Sequence, residues 1–173
     1  MNGIDERKCT VEQLVLQYEM AEHPEGGFYK ETYRAGVSVA AEALPESFTG
    51  SRNISTAIYY LLPEGAMSHL HRIASDEAWH FYLGGPLEIV EISPQGKLTK
   101  TILGQDVLNG QYVQHVVPAG SWFGARPVVG TKYSFVGCTV APGFDFAEFE
   151  MAEREVLVNE FSDLKDIIVE MTE

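Results

Sequence analysis

From Phe28 to about Glu150 the chain is written in short runs of aromatic and β-branched residues that alternate with polar ones, the period-two pattern of half-buried strands. Such runs predict strands over Phe28–Arg34, Ile54–Leu62, Ala66–His71, Glu77–Leu83 and Leu87–Ser93. Further runs cover Leu98–Leu103, Gln111–Val117, Ser121–Ala125, Tyr133–Val140 and Phe144–Glu150. Turn chemistry separates them: Pro63-Glu64-Gly65, Gly84-Gly85-Pro86, Ser93-Pro94-Gln95-Gly96, Asn109-Gly110 and Pro142-Gly143. Residues Val37–Ser51 lack alternation and are rich in Ala, Ser and Glu, which predicts a mobile loop.

Helical spacing is confined to the ends. Thr10-Val11-Glu12-Gln13 has the form of a capping box, opening a helix over about residues 10–20 with Val11, Leu14, Val15 and Tyr18 on its apolar face. After Met151, Val156, Leu157, Phe161, Leu164, Ile167 and Ile168 return to a helical period. Ten antiparallel strands between helical ends predict an all-β sandwich or jelly roll in a single domain over 1–173.

Composition narrows the partners. With 25 acidic against 12 basic residues the net charge is −13, the wrong sign for a nucleic-acid binder or an anionic membrane surface. No apolar run is long enough to span a bilayer. Met1–Lys8 has no apolar signal core, and the two cysteines, Cys9 and Cys138, read as reduced thiols, so a cytoplasmic location is expected.

The candidate chemistry lies in the centre. His69 and His71, one residue apart on a strand, are expected to face the same side, and Glu77 arrives on the next strand after a short turn. An imidazole beside a carboxylate makes an acid–base pair, with His71 the base and Glu77 or Asp76 its orienting partner. Tyr60 is a candidate acid. Lys30 and Arg126 are candidates to meet an anionic group on a ligand. Trp79 and Phe81 share Glu77's alternation and offer a stacking surface, with Phe123 nearby.

Gly65, His69, His71, Glu77 and Gly84 together resemble the first motif of the cupin superfamily. The block from His23 to Arg34, Ser68–Arg72, Ser75–Tyr82, Val117–Phe123 and Cys138–Phe144 is similar to its cupin-5, or DUF985, subfamily. The resemblance implies a jelly-roll β-barrel, a double-stranded β-helix, with a ligand site inside. Cupin-fold sugar epimerases work without metal through a histidine and a tyrosine. The resemblance therefore implies an isomerase- or epimerase-like role on a sugar or nucleotide derivative.

Metal-binding cupins carry Pro-x-Gly-x-x-His in their second motif, whereas Pro118-Ala119-Gly120-Ser121-Trp122 leads here to Phe123. The residues imply no cofactor outright. A divalent transition metal, iron or zinc, on His69, His71 and Glu77 is the alternative, giving a dioxygenase or hydrolase. A non-catalytic binding module is the third reading. A homodimer is expected, with Phe28–Arg34 as the candidate seam that protects a sheet edge.

Overall fold

A computed structural model describes residues 9–173. Met1–Lys8, on which the absence of a signal core was read, lies outside the described residues.

The first helix, α1 (Val11–Tyr18), begins as its sequence predicts: the Thr10 hydroxyl accepts from the Gln13 backbone N–H and the Gln13 side chain accepts from the Thr10 N–H. The strands follow as β1 (Ala21–Glu22), β2 (Phe28–Arg34), β3 (Ser38–Val39), β4 (Arg52–Asn53), β5 (Thr56–Pro63), β6 (Ser68–Arg72) and β7 (Asp76–Gly84). Then come β8 (Leu87–Ile92), β9 (Leu98–Leu103), β10 (Gln114–Val117), β11 (Trp122–Pro127), β12 (Tyr133–Ala141) and β13 (Glu150–Met151). Two short helices, α2 (Arg154–Glu160) and α3 (Lys165–Glu170), close the chain.

Two antiparallel sheets face each other as a jelly roll. One has the order β1-β2-β5-β12-β7-β10 and the other β13-β6-β11-β8-β9. They share no strand and so do not close into one hydrogen-bonded cylinder. Among the described residues no helix is long and apolar enough to cross a membrane.

Alternation along each strand feeds more than one core, which explains runs that are apolar at every position. Tyr60 and Leu62 of β5 turn inward with Trp79, Leu87, Ile89, Phe123 and Cys138, while Leu61 turns outward with Phe135 beneath Leu14 of α1. Val90 and Ile92 of β8 likewise face away from Leu87 and Ile89, onto Leu157, Ile167, Ile168 and Met171 of the C-terminal segment. Each such fully buried side chain is worth on the order of 2 kcal/mol, so the terminal helices cover apolar sheet that would otherwise be wet.

Two expectations fail. Phe144–Glu150 is not a strand: the Asp145 carboxylate accepts from the Ala147 N–H at 2.9 Å and a single helical turn, Phe146–Glu148, forms instead. Only Glu150–Met151 pairs, with β6. Val37–Ser51 is no free loop either. β3 pairs with β4, and the buried Arg52 and half-buried Glu148 form an ion pair (Nε–Oε2 2.8 Å) that joins this segment to the Phe146–Glu148 turn. Glu148 also accepts from the Thr49 N–H and hydroxyl, and its carboxyl is held down at about 2 despite burial.

Candidate functional site

Between the sheets a cavity of about 250 Å³ opens to the surface. His71 and Glu77 both line it, together with His23 and Glu25, which spacing did not single out. Aromatic rings from Tyr29, Phe144 and Phe146 and aliphatic groups of Ile58 and Val140 complete much of the wall.

Glu25 is placed by its neighbours in the chain. His23-Pro24-Glu25-Gly26-Gly27 makes a tight turn in which Gly26 has φ +112°, and a Cβ there would meet the Met67 carbonyl oxygen at 2.0 Å. Only glycine fits. The turn lays Glu25 across the start of β6, where its carbonyl accepts from the His69 N–H at 2.9 Å and from His69 Nδ1 at 3.0 Å. Its carboxylate accepts from the Ser68 hydroxyl at 3.0 Å and from His71 Nε2 at 3.0 Å.

Ser68 and His71 reach the same carboxylate from positions of opposite parity because β6 is irregular. Phe123 pairs with His71 and Ala125 with Ser68, two residues against three, the count of a β-bulge. The bulge breaks the same-side rule for His-x-His, and His69 turns to the Glu25 backbone and does not line the cavity.

His71 is fixed on every side. Its Nδ1–H donates to the His69 carbonyl at 2.7 Å, its Nε2 faces Glu25, and its ring packs on Phe123 with centroids 4.2 Å apart. Both nitrogens point at acceptors, so the ring carries two protons and has no lone pair with which to act as a base. Burial would push this imidazole down, but the Glu25 charge and hydrogen bond, with Glu77 behind them, raise it. Burial pushes Glu25 up, yet the charge and hydrogen bond of His71, with His23 and Ser68, bring it to about 2. The pair is therefore an imidazolium and a carboxylate.

Glu77 is the opposite case. It is 8 % exposed, and among the described residues no nitrogen or oxygen hydrogen-bonds its carboxyl; the Cys138 thiol is beside it. Burial, then the nearby Glu25 charge, lifts it to about 7, with His71 and Cys138 pulling back only in part. The same burial raises the Cys138 thiol. His23 is driven down by burial and stays neutral. Its Nδ1 accepts the Glu25 N–H at 3.3 Å, which places the ring proton on Nε2, and no protein partner for Nε2 is found among the described residues.

The other predicted ligand residues lie elsewhere. Tyr60 is buried and donates to the Gly26 carbonyl at 2.7 Å, so its proton is committed to backbone. Trp79, Phe81 and Phe123 belong to the core between the sheets and do not line the cavity. Among the described residues the Trp79 indole N–H finds no acceptor, and nothing in the structure explains it. Lys30 pairs with Glu19 at 3.2 Å on the surface, since Tyr29 and Glu31 take the inward parity on β2. Arg126 pairs with Glu88 and Glu170. Arg34, not either of these, lines the cavity.

The proposed metal ligands do not fit an ion. His69 is turned away, both His71 nitrogens are occupied, and Phe123 offers no donor. Among the described residues no group of three or more His, Cys, Asp or Glu is arranged to hold a metal.

A jelly roll with a polar hollow between its sheets is the architecture of a cupin. The family described as cupin superfamily (DUF985) matches residues 12–152, and the chain belongs to it. A structure of a protein from Shewanella oneidensis is 35 % identical and superposes with a TM-score of 0.84, covering 96 % of this chain and 99 % of that one. A hypothetical protein from Leishmania major gives 31 % and 0.86, covering 95 % and 99 %. An uncharacterized protein of Saccharomyces cerevisiae is 28 % identical over 87 % of this chain and 79 % of its own length.

Proposed function

We propose that the protein binds a small carbonyl-bearing metabolite, plausible in size for a cavity of about 250 Å³, and moves a proton on it as an isomerase or epimerase does. The observation that carries this reading is Glu77: a buried carboxyl on the cavity wall, held by no nitrogen or oxygen among the described residues, and lifted to about 7. A general base works best when its pKa lies close to the working pH.

In the step, the Glu77 carboxylate takes the proton from the carbon next to the carbonyl. The C–H electron pair moves into the new carbon–carbon double bond, and negative charge develops on the carbonyl oxygen. The His23 Nε2–H donates to that oxygen. A neutral imidazole paired with a glutamate base is an established solution to this chemistry in an unrelated fold. In an isomerase Glu77 then returns the proton to the neighbouring carbon, as the hydroxyl proton on the first carbon passes by way of the His23 imidazole to the former carbonyl oxygen; in an epimerase Glu77 keeps its proton and water in the open cavity protonates the opposite face. The His71–Glu25 pair does not exchange protons; it fixes the charge that sets Glu77.

The test is solvent exchange. Aldoses and ketoses incubated with the protein in D2O should gain deuterium next to the carbonyl, read by NMR, and Glu77→Gln should abolish the gain. If carbonyl compounds bind and none exchanges, the protein is a binding module and the catalytic reading fails.

A further inference from the structure

The charged groups around the cavity decide what kind of ligand it tolerates. Four acids line it, Glu25, Glu31, Glu77 and Asp145, against two cations, Arg34 and the His71 imidazolium. Neither cation has a hydrogen to offer. Arg34 spends all five N–H groups: Nε and Nη2 on Glu31 at 2.9 and 2.7 Å, Nη1 on Asn53 at 3.0 Å, and Nη1 and Nη2 on the Phe144 carbonyl at 3.2 and 3.3 Å. His71 spends both of its own on His69 and Glu25.

Two of the backbone N–H groups beside the cavity are spent as well. On the turn that borders the cavity, the Ala147 N–H is taken by Asp145 and the Phe144 N–H by the Thr56 hydroxyl. An anion placed here would lose its water, meet carboxylates and gain no charged donor.

The donors left for a ligand are on uncharged lining residues, His23 with its Nε2–H, Tyr29 and Thr56, beside the apolar Ile58, Val140 and Phe146. That suits hydroxyl groups on a carbon skeleton. We propose that the substrate is an uncharged polyhydroxy carbonyl compound, an unphosphorylated sugar and not a sugar phosphate, a sugar acid or a nucleotide. The proposal rests on the proton-transfer reading above for the carbonyl, and on the spent Arg34 and His71 donors for the absence of charge.

The experiment compares D-glyceraldehyde, D-ribose and D-fructose with their phosphate esters, by calorimetric binding and by deuterium uptake from D2O. At least one parent sugar should bind and exchange, with its ester bound at least about tenfold more weakly. An ester bound equally or more tightly overturns the proposal, and so does a failure of every parent sugar to bind. A parent that binds over its ester without exchanging keeps the charge selectivity and sinks only the proton-transfer reading. Glu31→Gln gives a second arm: it removes the counter-charge of Arg34 and one of its two side-chain acceptors there, and should narrow the parent-to-ester ratio severalfold. An unchanged ratio in that variant removes Arg34 pairing as the cause.

Discussion

Replacing Glu77 with glutamine should stabilise the protein, and do so only as the solution becomes less acidic. A buried carboxyl lifted from 4.5 to about 7 favours the native state in its protonated form, because the unfolded chain ionises it first. Below about pH 4.5 both states are protonated and the residue costs nothing. Between 4.5 and 7 the unfolded state gains its charge while the native state does not, so stability falls as pH rises. Above 7 the loss is complete, at about 3 kcal/mol. Glutamine keeps the shape and never ionises, and its amide faces a cavity that admits water. The advantage of Glu77→Gln over the parent should therefore grow from near zero at pH 4.5 to about 3 kcal/mol at pH 8.5. Glu25 titrates near 2 and stays out of this window. Urea unfolding of both proteins across the range reads the difference directly. A difference that is flat with pH, or that shrinks as pH rises, would show that Glu77 is not held protonated by burial and would take the acid–base role with it.

Glu25→Gln should leave His71 buried without its counter-charge: its 15N shifts should report an imidazolium near neutral pH in the parent and a neutral ring in the variant, with a loss of about 3–5 kcal/mol by urea unfolding. In the parent, the Glu25 contribution disappears as pH falls from 4.5 towards 2, and the His71 contribution as pH rises through its raised pKa. Unchanged ring shifts would refute the ion pair. Arg52→Ala strips Glu148 of its buried partner and should cost about 3 kcal/mol while exposing Val37–Ser51 to limited proteolysis; a segment that stays resistant would show that the ion pair does not anchor it. Among the described residues β1 pairs only with Phe28 and Tyr29 of β2 and leaves the rest of that edge uncovered, and sedimentation should report a homodimer closed through it. A monomer at micromolar concentration counts against that seam.

The strands were legible where turn residues bracket a period-two run, as Pro63-Glu64-Gly65 and Gly84-Gly85-Pro86 bracket β7 and its neighbours. The same pattern misled at Phe144–Glu150. There Phe144, Phe146 and Phe149 are apolar because they pack on one another, with centroids 4.9 and 5.7 Å apart along the series, not because they share a sheet face. Asp145 decides the backbone locally by capping the turn. Val37–Ser51 misled in the other direction: its composition is that of a loop, and its order comes from an ion pair with a residue 96 positions away, which no window on the sequence contains.

The site divides along the same line. Spacing brought out His71 and Glu77, two groups on adjacent stretches of chain whose positions need only a strand, a turn and a strand. It did not bring out Glu25, because that residue acts through a turn whose two glycines are legible as a turn but not as a contact with β6. Nor did it foresee that one extra residue in β6 would set Ser68 and His71 on the same carboxylate and send His69 to the backbone. The consequence for chemistry is an exchange of roles. Spacing makes the histidine the base because an imidazole titrates near neutrality by itself; the ionised Glu25 raises His71 against its burial and takes up its Nε2–H, while burial and the same charge lift Glu77 to about 7. The group that can trade protons at neutral pH is thus the one left over after the other two have paired, and that pairing was set by a residue 46 positions before His71.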